Sequence, residues 1–143
     1  IANKYKINTK EIELEITESA ILNKDIDILK IINKIKKAGF KISIDDFGTG
    51  TSSLSMLQNM PIDTIKIDKI FVDKINLERK NENIIDYIIY MAKKLNLETV
   101  SEGVETKEQV KYLKNIGCDI VQGYYYSKPI TSDVLLKFKA TGK

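Results

Sequence analysis

The chain has 143 residues, 43% hydrophobic and 30% charged, with 23 basic against 20 acidic side chains and a net charge of +3. It holds one cysteine and no histidine, which excludes an internal disulfide, histidine-ligated zinc or iron, Ser–His and Cys–His catalysis and phosphohistidine chemistry within these residues. The weak charge balance argues against a nucleic-acid polymer as partner, no apolar run reaches the length of a membrane span, and the length is that of one domain.

Residues 11–17 alternate, with Ile12, Leu14 and Ile16 on one face, which is the period of a strand. Residues 25–38 form a predicted helix with Ile28, Ile31, Ile32 and Ile35 on one stripe and Gly39 as its C-terminal cap. Lys34, Lys36 and Lys37 give that helix a solvated basic face. A second strand follows at 41–45, and Ser52 or Ser53 can cap a short helix to about residue 58. A third strand is expected at 64–67, and 70–75 is an apolar piece of ambiguous type. Asn81 or Glu82 opens a longer helix to about Leu95, with Ile84, Ile85, Ile88, Ala92 and Leu95 inward. A fourth strand at 98–101 precedes a helix at 107–116, with Val110, Leu113 and Ile116 inward and Gly117 as its stop. Cys118 is expected as a small buried hydrophobe, residues 120–123 as a fifth strand and 132–140 as a last helix. Alternation of this kind predicts parallel strands and an α/β fold.

Polar groups follow the apolar part of every predicted strand. Glu15 and Glu18 close the first, Asp45 and Asp46 the second, Lys66 and Asp68 the third, Glu102 and Glu105 the fourth, and Gln122 the fifth. In a parallel sheet all these ends lie at one edge, and in a barrel they ring the mouth where active sites sit. Neighbouring carboxylates repel one another, so a cation or shared protons must offset the cost. With oxygen ligands only, the implied ions are hard ones, Mg²⁺ or Mn²⁺. Two such ions suit in-line attack on a phosphodiester. Asp45 and Asp46 would face opposite sides of a regular strand, so both reach the mouth only where the strand frays. Asp45 can then bridge two ions and Asp46 bind one. Lys66 adds a positive charge near the phosphoryl oxygens or pairs with Asp45 or Asp46. Gly48 and Gly50 flank a loop that is either a mobile active-site loop or a tight turn.

With these residues assembled, the chain resembles the C-terminal part of EAL-domain cyclic-di-GMP phosphodiesterases. The matching pieces are Leu14-Glu15-Ile16-Thr17-Glu18-Ser19, Asp45-Asp46-Phe47-Gly48-Thr49-Gly50 with Ser52-Ser53-Leu54, Ile65-Lys66-Ile67-Asp68, Glu102-Gly103-Val104-Glu105, and Gln122-Gly123-Tyr124 with Lys128-Pro129. The resemblance implies a modified TIM barrel, of which about five C-terminal strand–helix units are present. The N-terminal strands, with the name-giving glutamate and a metal-binding asparagine, are expected upstream of Ile1 in a longer parent. It implies Glu15, Asp45, Asp46 and Glu102 as metal ligands for Mg²⁺ or Mn²⁺, and Lys66 and Glu102 as the catalytic pair. Gln122 is implied at the water and substrate phosphate. Glu18 and Glu105 are implied as acids that hold the loop Phe47, Gly48, Thr49 and Gly50 in its working shape. The implied substrate is cyclic-di-GMP and the product linear pGpG, with activity residing in the parent and not in residues 1–143 alone. The implied partners are a second copy in a homodimer and GGDEF or sensory domains in the parent chain. The expected location is the cytoplasm, with a parent that can be membrane-attached. The alternative is a non-catalytic EAL-type module that binds the dinucleotide or a protein.

Overall fold

Isoleucines at every second position decide the architecture. Ile42, Ile44, Ile65 and Ile67 alternate with polar residues along two strands, successive strand residues face opposite ways, and all four isoleucines are fully buried. The computed structural model describes residues 2–21, 27–48, 54–75 and 83–135. Two short helices, α1 (Ala2–Tyr5) and α2 (Glu18–Ile21), flank the first strand, β1 (Glu13–Thr17). Then come α3 (Ile28–Lys37), β2 (Lys41–Phe47), α4 (Leu54–Asn59), β3 (Thr64–Ile67), α5 (Lys69–Asp73) and α6 (Ile84–Lys94). The described chain ends with β4 (Glu98–Ser101), α7 (Lys107–Ile116), β5 (Ile120–Val121) and α8 (Ser132–Leu135). The strands form one parallel sheet in chain order, β1-β2-β3-β4-β5. Parallel neighbours need a crossover that returns the chain to the starting edge, and the helices provide it.

The core lies between the isoleucine face and the helices. Ile32 of α3, Leu57 of α4, Val72 of α5, Ile85 and Ile89 of α6 and Leu113 of α7 all pack into it. Each such side chain contributes about 1.5–3 kcal/mol on burial. The other sheet face carries Ser43, Asp45, Thr64 and Lys66, and it is this face that leads up to the acidic edge.

Caps mark the helix ends where the sequence places short polar residues. Asp27 accepts the Lys30 N–H ahead of α3, Thr106 and Gln109 form a capping box on α7, and Gly117 ends α7 in the left-handed region at φ 80°. Two aspartates at the N-terminal edge of the sheet are wholly structural. Asp63 accepts from the Ile42 N–H at 2.8 Å and from Lys36 Nζ at 2.5 and 2.6 Å. Asp119 accepts from the Thr99 N–H at 2.9 Å and its hydroxyl at 2.7 Å.

Several expectations are corrected. The first strand starts at Glu13, because residues 9–11 wind into a 3₁₀ turn capped by Asn8. Leu14 is exposed on this edge strand, where no described neighbour covers it. Ile84 points outward: the buried stripe of α6 is Ile85, Ile88, Ile89 and Ala92, and Ile84 lies about a quarter turn from its centre. The α6 cap is Asn83, while residues 81 and 82 lie outside the described residues. Ile31 sits at the exposed rim of the α3 stripe, and Lys36 is drawn off the solvated face by Asp63. The ambiguous piece after the third strand is helical, as α5. The second strand runs on to Phe47, the fifth is only two residues long, and Cys118 is half-buried. The end of the last predicted helix and the Ser52 or Ser53 cap lie outside the described residues.

Candidate active site

The acids at the C-terminal edge behave differently from Asp63 and Asp119: they face each other. The cause is a bulge in β2. Ile44 pairs with Ile65 and Phe47 with Ile67, so Asp45 and Asp46 together stand opposite the single residue Lys66. A bulge re-aims side chains. Asp46 takes φ 53°, a left-handed conformation that aspartate tolerates better than most residues. Both carboxylates thereby reach the same side of the sheet, and ligand atoms of Asp45, Asp46 and Glu102 lie within 4.8 Å of one another.

Lys66 is the hub. It is only 8% exposed, and its Nζ lies 2.8 Å from Glu15 Oε1, 2.9 Å from Asp45 Oδ1 and 2.8 Å from Glu102 Oε1. These three acids come from β1, from β2 and from the residue after β4, so the lysine ties the sheet together across four strands. Burial disfavours its charged form, but the bonds it donates to Glu102, Glu15 and Asp45 outweigh that and hold its pKa well above the ordinary lysine range. The ammonium is therefore fully charged at neutral pH.

Asp46 is the strained member. Loss of water, then the charges of Asp45 and Asp68 and a bond shared with Asp68, push its pKa up against the pull of Lys66. Asp68 is thus a fifth acid at the site. The sequence places it at this edge with Lys66 but gives it no role, and the structure adds a second one: it also caps α5 by accepting from the Ile70 N–H at 2.7 Å.

The remaining expected residues fall around this centre. Glu18, 2% exposed, accepts the Gly48 N–H at 2.9 Å. Gly48 has φ 95°, and a Cβ there would lie 2.7 Å from the Phe71 ring, so the turn after Asp46 requires glycine. Phe47, expected in the loop, ends β2 and is buried in the core, because the bulge adds a residue before the turn. Thr49 and Gly50 lie outside the described residues. Gln122 donates its backbone N–H to Ser101 O at 2.9 Å and accepts from the Val104 N–H at 3.1 Å. Gly123 lets these backbones touch, since a Cβ there would overlap the Val104 backbone. Glu105, expected at the loop after Asp46, is bonded to Lys69. Asp68, Lys69, Glu102, Glu105, Gln122 and Tyr124 line an open groove of about 460 Å³.

The crowding has a measurable cost. Asp46→Asn should raise the melting temperature in excess chelator by about 1–2 °C, because it removes a screened repulsion while asparagine keeps the left-handed backbone. The raised folded-state pKa sets the sign. Below the ordinary value of 3.8 the aspartate is protonated in both folded and unfolded states, and the advantage of the variant vanishes. It grows as pH climbs through 3.8 and is complete above the folded pKa. Melting curves from pH 3 to 7 check this, and an equal difference at both ends would contradict it.

The model of the family described as EAL domain matches residues 1–129. The cyclic di-GMP phosphodiesterase NbdA of Pseudomonas aeruginosa is 39% identical over 127 residues, which are 89% of this chain and 16% of NbdA. Among solved structures, the complex of PaMucR phosphodiesterase with c-di-GMP superposes with a TM-score of 0.85 at 34% identity, covering 94% of this chain and 54% of that one. The manganese and cy-diGMP complex of Klebsiella pneumoniae BlrP1 superposes at 0.78 with 29% identity, over 89% of this chain and 32% of that one. The five parallel strands and their helices are thus part of the TIM-barrel-like fold of these proteins, and the chain spans about a sixth of the length of NbdA.

Proposed function

The chain belongs to the EAL domain family, and from that premise we propose that it is the C-terminal part of an EAL domain that hydrolyses cyclic di-GMP to linear pGpG with divalent cations. One observation carries the reading: the carboxylates of Glu15, Asp45 and Glu102 meet on the Lys66 ammonium, with Asp46 beside them at the same sheet edge. The donor set fits the ions. It is all oxygen, which suits Mg²⁺ or Mn²⁺, and the neighbouring charges of Asp45 and Asp68 add to the loss of water in raising the pKa of Asp46, a crowding of acids that a cation would relieve. Asp45, Asp46 and Glu102, with Glu15, are the residues that would hold them. Bound there, such cations make a nucleophile of water at neutral pH and offset charge on phosphoryl oxygens.

The side chains supply the rest. Glu102 accepts a proton from the attacking water as the water oxygen bonds to phosphorus. One P–O ester bond breaks, and the departing ribose oxygen takes up a proton from solvent. Lys66 orients three carboxylates and places a fixed positive charge beside the phosphoryl group. Gln122, with an amide that both donates and accepts, holds the water or a phosphate oxygen. Glu18 anchors the Gly48 amide and so the turn that follows Asp46. The same reading places the remaining strands, with the family's further glutamate and asparagine, upstream in a parent that forms a homodimer and carries GGDEF or sensory domains.

The test is hydrolysis by the complete domain. Chromatography should detect pGpG with Mg²⁺ or Mn²⁺, lose it on chelation and regain it when metal returns, while residues 1–143 alone give none. Dinucleotide binding without any product from the complete domain would make it a regulatory binding module instead.

A further inference from the structure

Lys69 stands apart from the side chains around Lys66 yet lines the same groove. It follows Asp68 directly and opens α5. Its ammonium is bonded to Glu105 and lies 3.7 Å from Asp73 Oδ1. Its stem crosses the backbone of Gly103 so closely that a Cβ there would sit 2.6 Å from both Lys69 Cβ and Lys69 Cδ. Gly103 also has φ 68°, so glycine is required both for the backbone angle and for the passage of the lysine.

The segment under that stem begins with Glu102. At its start the Glu102 N–H donates to Ile67 O at 3.0 Å. At its far end the Glu105 and Thr106 N–H groups both donate to Gln109 Oε1, at 2.9 and 3.0 Å, tying it to α7. Between these anchors the Val104 N–H donates to Gln122 O at 3.1 Å and Val104 O accepts from the Tyr125 N–H at 3.0 Å, while across Gly103 lies Lys69. We infer that Lys69 is a positioning residue: its stem and its ion pair with Glu105 strap residues 102–105 to the β3–α5 corner and thereby hold the Glu102 carboxylate at Lys66. The pair is partly exposed on both sides, 44% and 50%, and such pairs contribute little to stability. Its consequence is therefore geometric. The effect on turnover rests on the hydrolase reading above; the strap itself does not.

The test uses the complete domain with Lys69→Met, Lys69→Arg, Glu105→Gln and the double variant Lys69→Met/Glu105→Gln, and with Glu102→Gln as a reference. Lys69→Met should speed amide hydrogen exchange at residues 103–105 and lower kcat about 10- to 100-fold, the scale of a small misplacement of a reacting group, with KM changed less than about threefold. The double variant should be no worse than the worse single one, because the two residues act as a unit, and Lys69→Arg should restore most of the rate. Unchanged exchange in Lys69→Met overturns the strap. Additive losses, or a loss carried by KM alone, overturn the positioning role in favour of direct substrate contact. Full activity in Glu102→Gln would remove Glu102 from the proton transfer, and absence of product from the parental domain would sink the hydrolase reading; in either case the exchange measurement would still decide the strap.

Discussion

Asp45→Asn is expected to cut cyclic di-GMP hydrolysis by the complete domain more than about 100-fold, since disturbing even the outer partners of a metal ligand costs about 10–100-fold. The reason is the position of this carboxylate. It accepts from Lys66 at 2.9 Å and also lies within ligand reach of Asp46 and Glu102. Asparagine can still accept the bond from Lys66 through its amide oxygen, so the fold should survive, but it brings no negative charge to a cation. The expected signature is therefore a native circular dichroism spectrum, a large rise in the metal concentration needed for half-maximal rate, and almost no turnover. A variant that hydrolyses the dinucleotide near the parental rate would remove Asp45 from the chemistry.

Lys66→Met should damage both folding and activity. Methionine keeps the length of the stem but leaves Glu15, Asp45 and Glu102 facing one another without a counterion. Breaking a buried ion pair costs about 3–5 kcal/mol. Here Glu15 is half-exposed, so about 1–3 kcal/mol is the expected loss in chelator. Turnover should fall about 100-fold or more, as when one stabilising donor is removed from a reaction centre. The pH dependence carries a sign that can be checked. The folded-state pKa of Lys66 is raised above its ordinary 10.5, so its stabilisation is complete at pH values below 10.5 and is lost only as pH rises through the folded value. The stability gap between parent and variant should stay level from about pH 7 to 10 and close above that. A gap that closes near neutrality would mean that the ammonium is not what holds the three strands' acids together. Added Mg²⁺ or Mn²⁺ should narrow the gap in the neutral range, because it supplies the missing positive charge to the same oxygens.

Much of this is legible in the sequence. The helix at 107–116 is marked by the stripe of Val110, Leu113 and Ile116 and by Gly117 at its end, and it forms where expected. The third and fourth strands match residue for residue. Ile84 was misplaced because a helix stripe read from spacing alone has two possible flanks. Ile89, and not Ile84, completes the one that faces the sheet. The apolar piece after the third strand is ambiguous because six residues cannot separate the two periods. The aspartate cap at Asp68 resolves it as helix.

The sequence by itself determined the α/β class, the parallel strands and the edge at which Glu15, Asp45, Asp46, Lys66, Glu102 and Gln122 gather. Those follow from local periods, since a strand's polar terminus and a parallel return fix which side a residue ends on. Only the tertiary structure decided who meets whom. Two adjacent aspartates share a side because β2 bulges against β3 and Asp46 turns left-handed. Lys66 binds three acids that are 21 to 51 positions away in the chain, and Glu105 goes to Lys69. Asp63 and Asp119, which look no different in sequence, are consumed by backbone amides at the opposite edge. Such pairings depend on inter-strand register and on angstrom-scale distances between remote segments, and no local pattern in the chain encodes either.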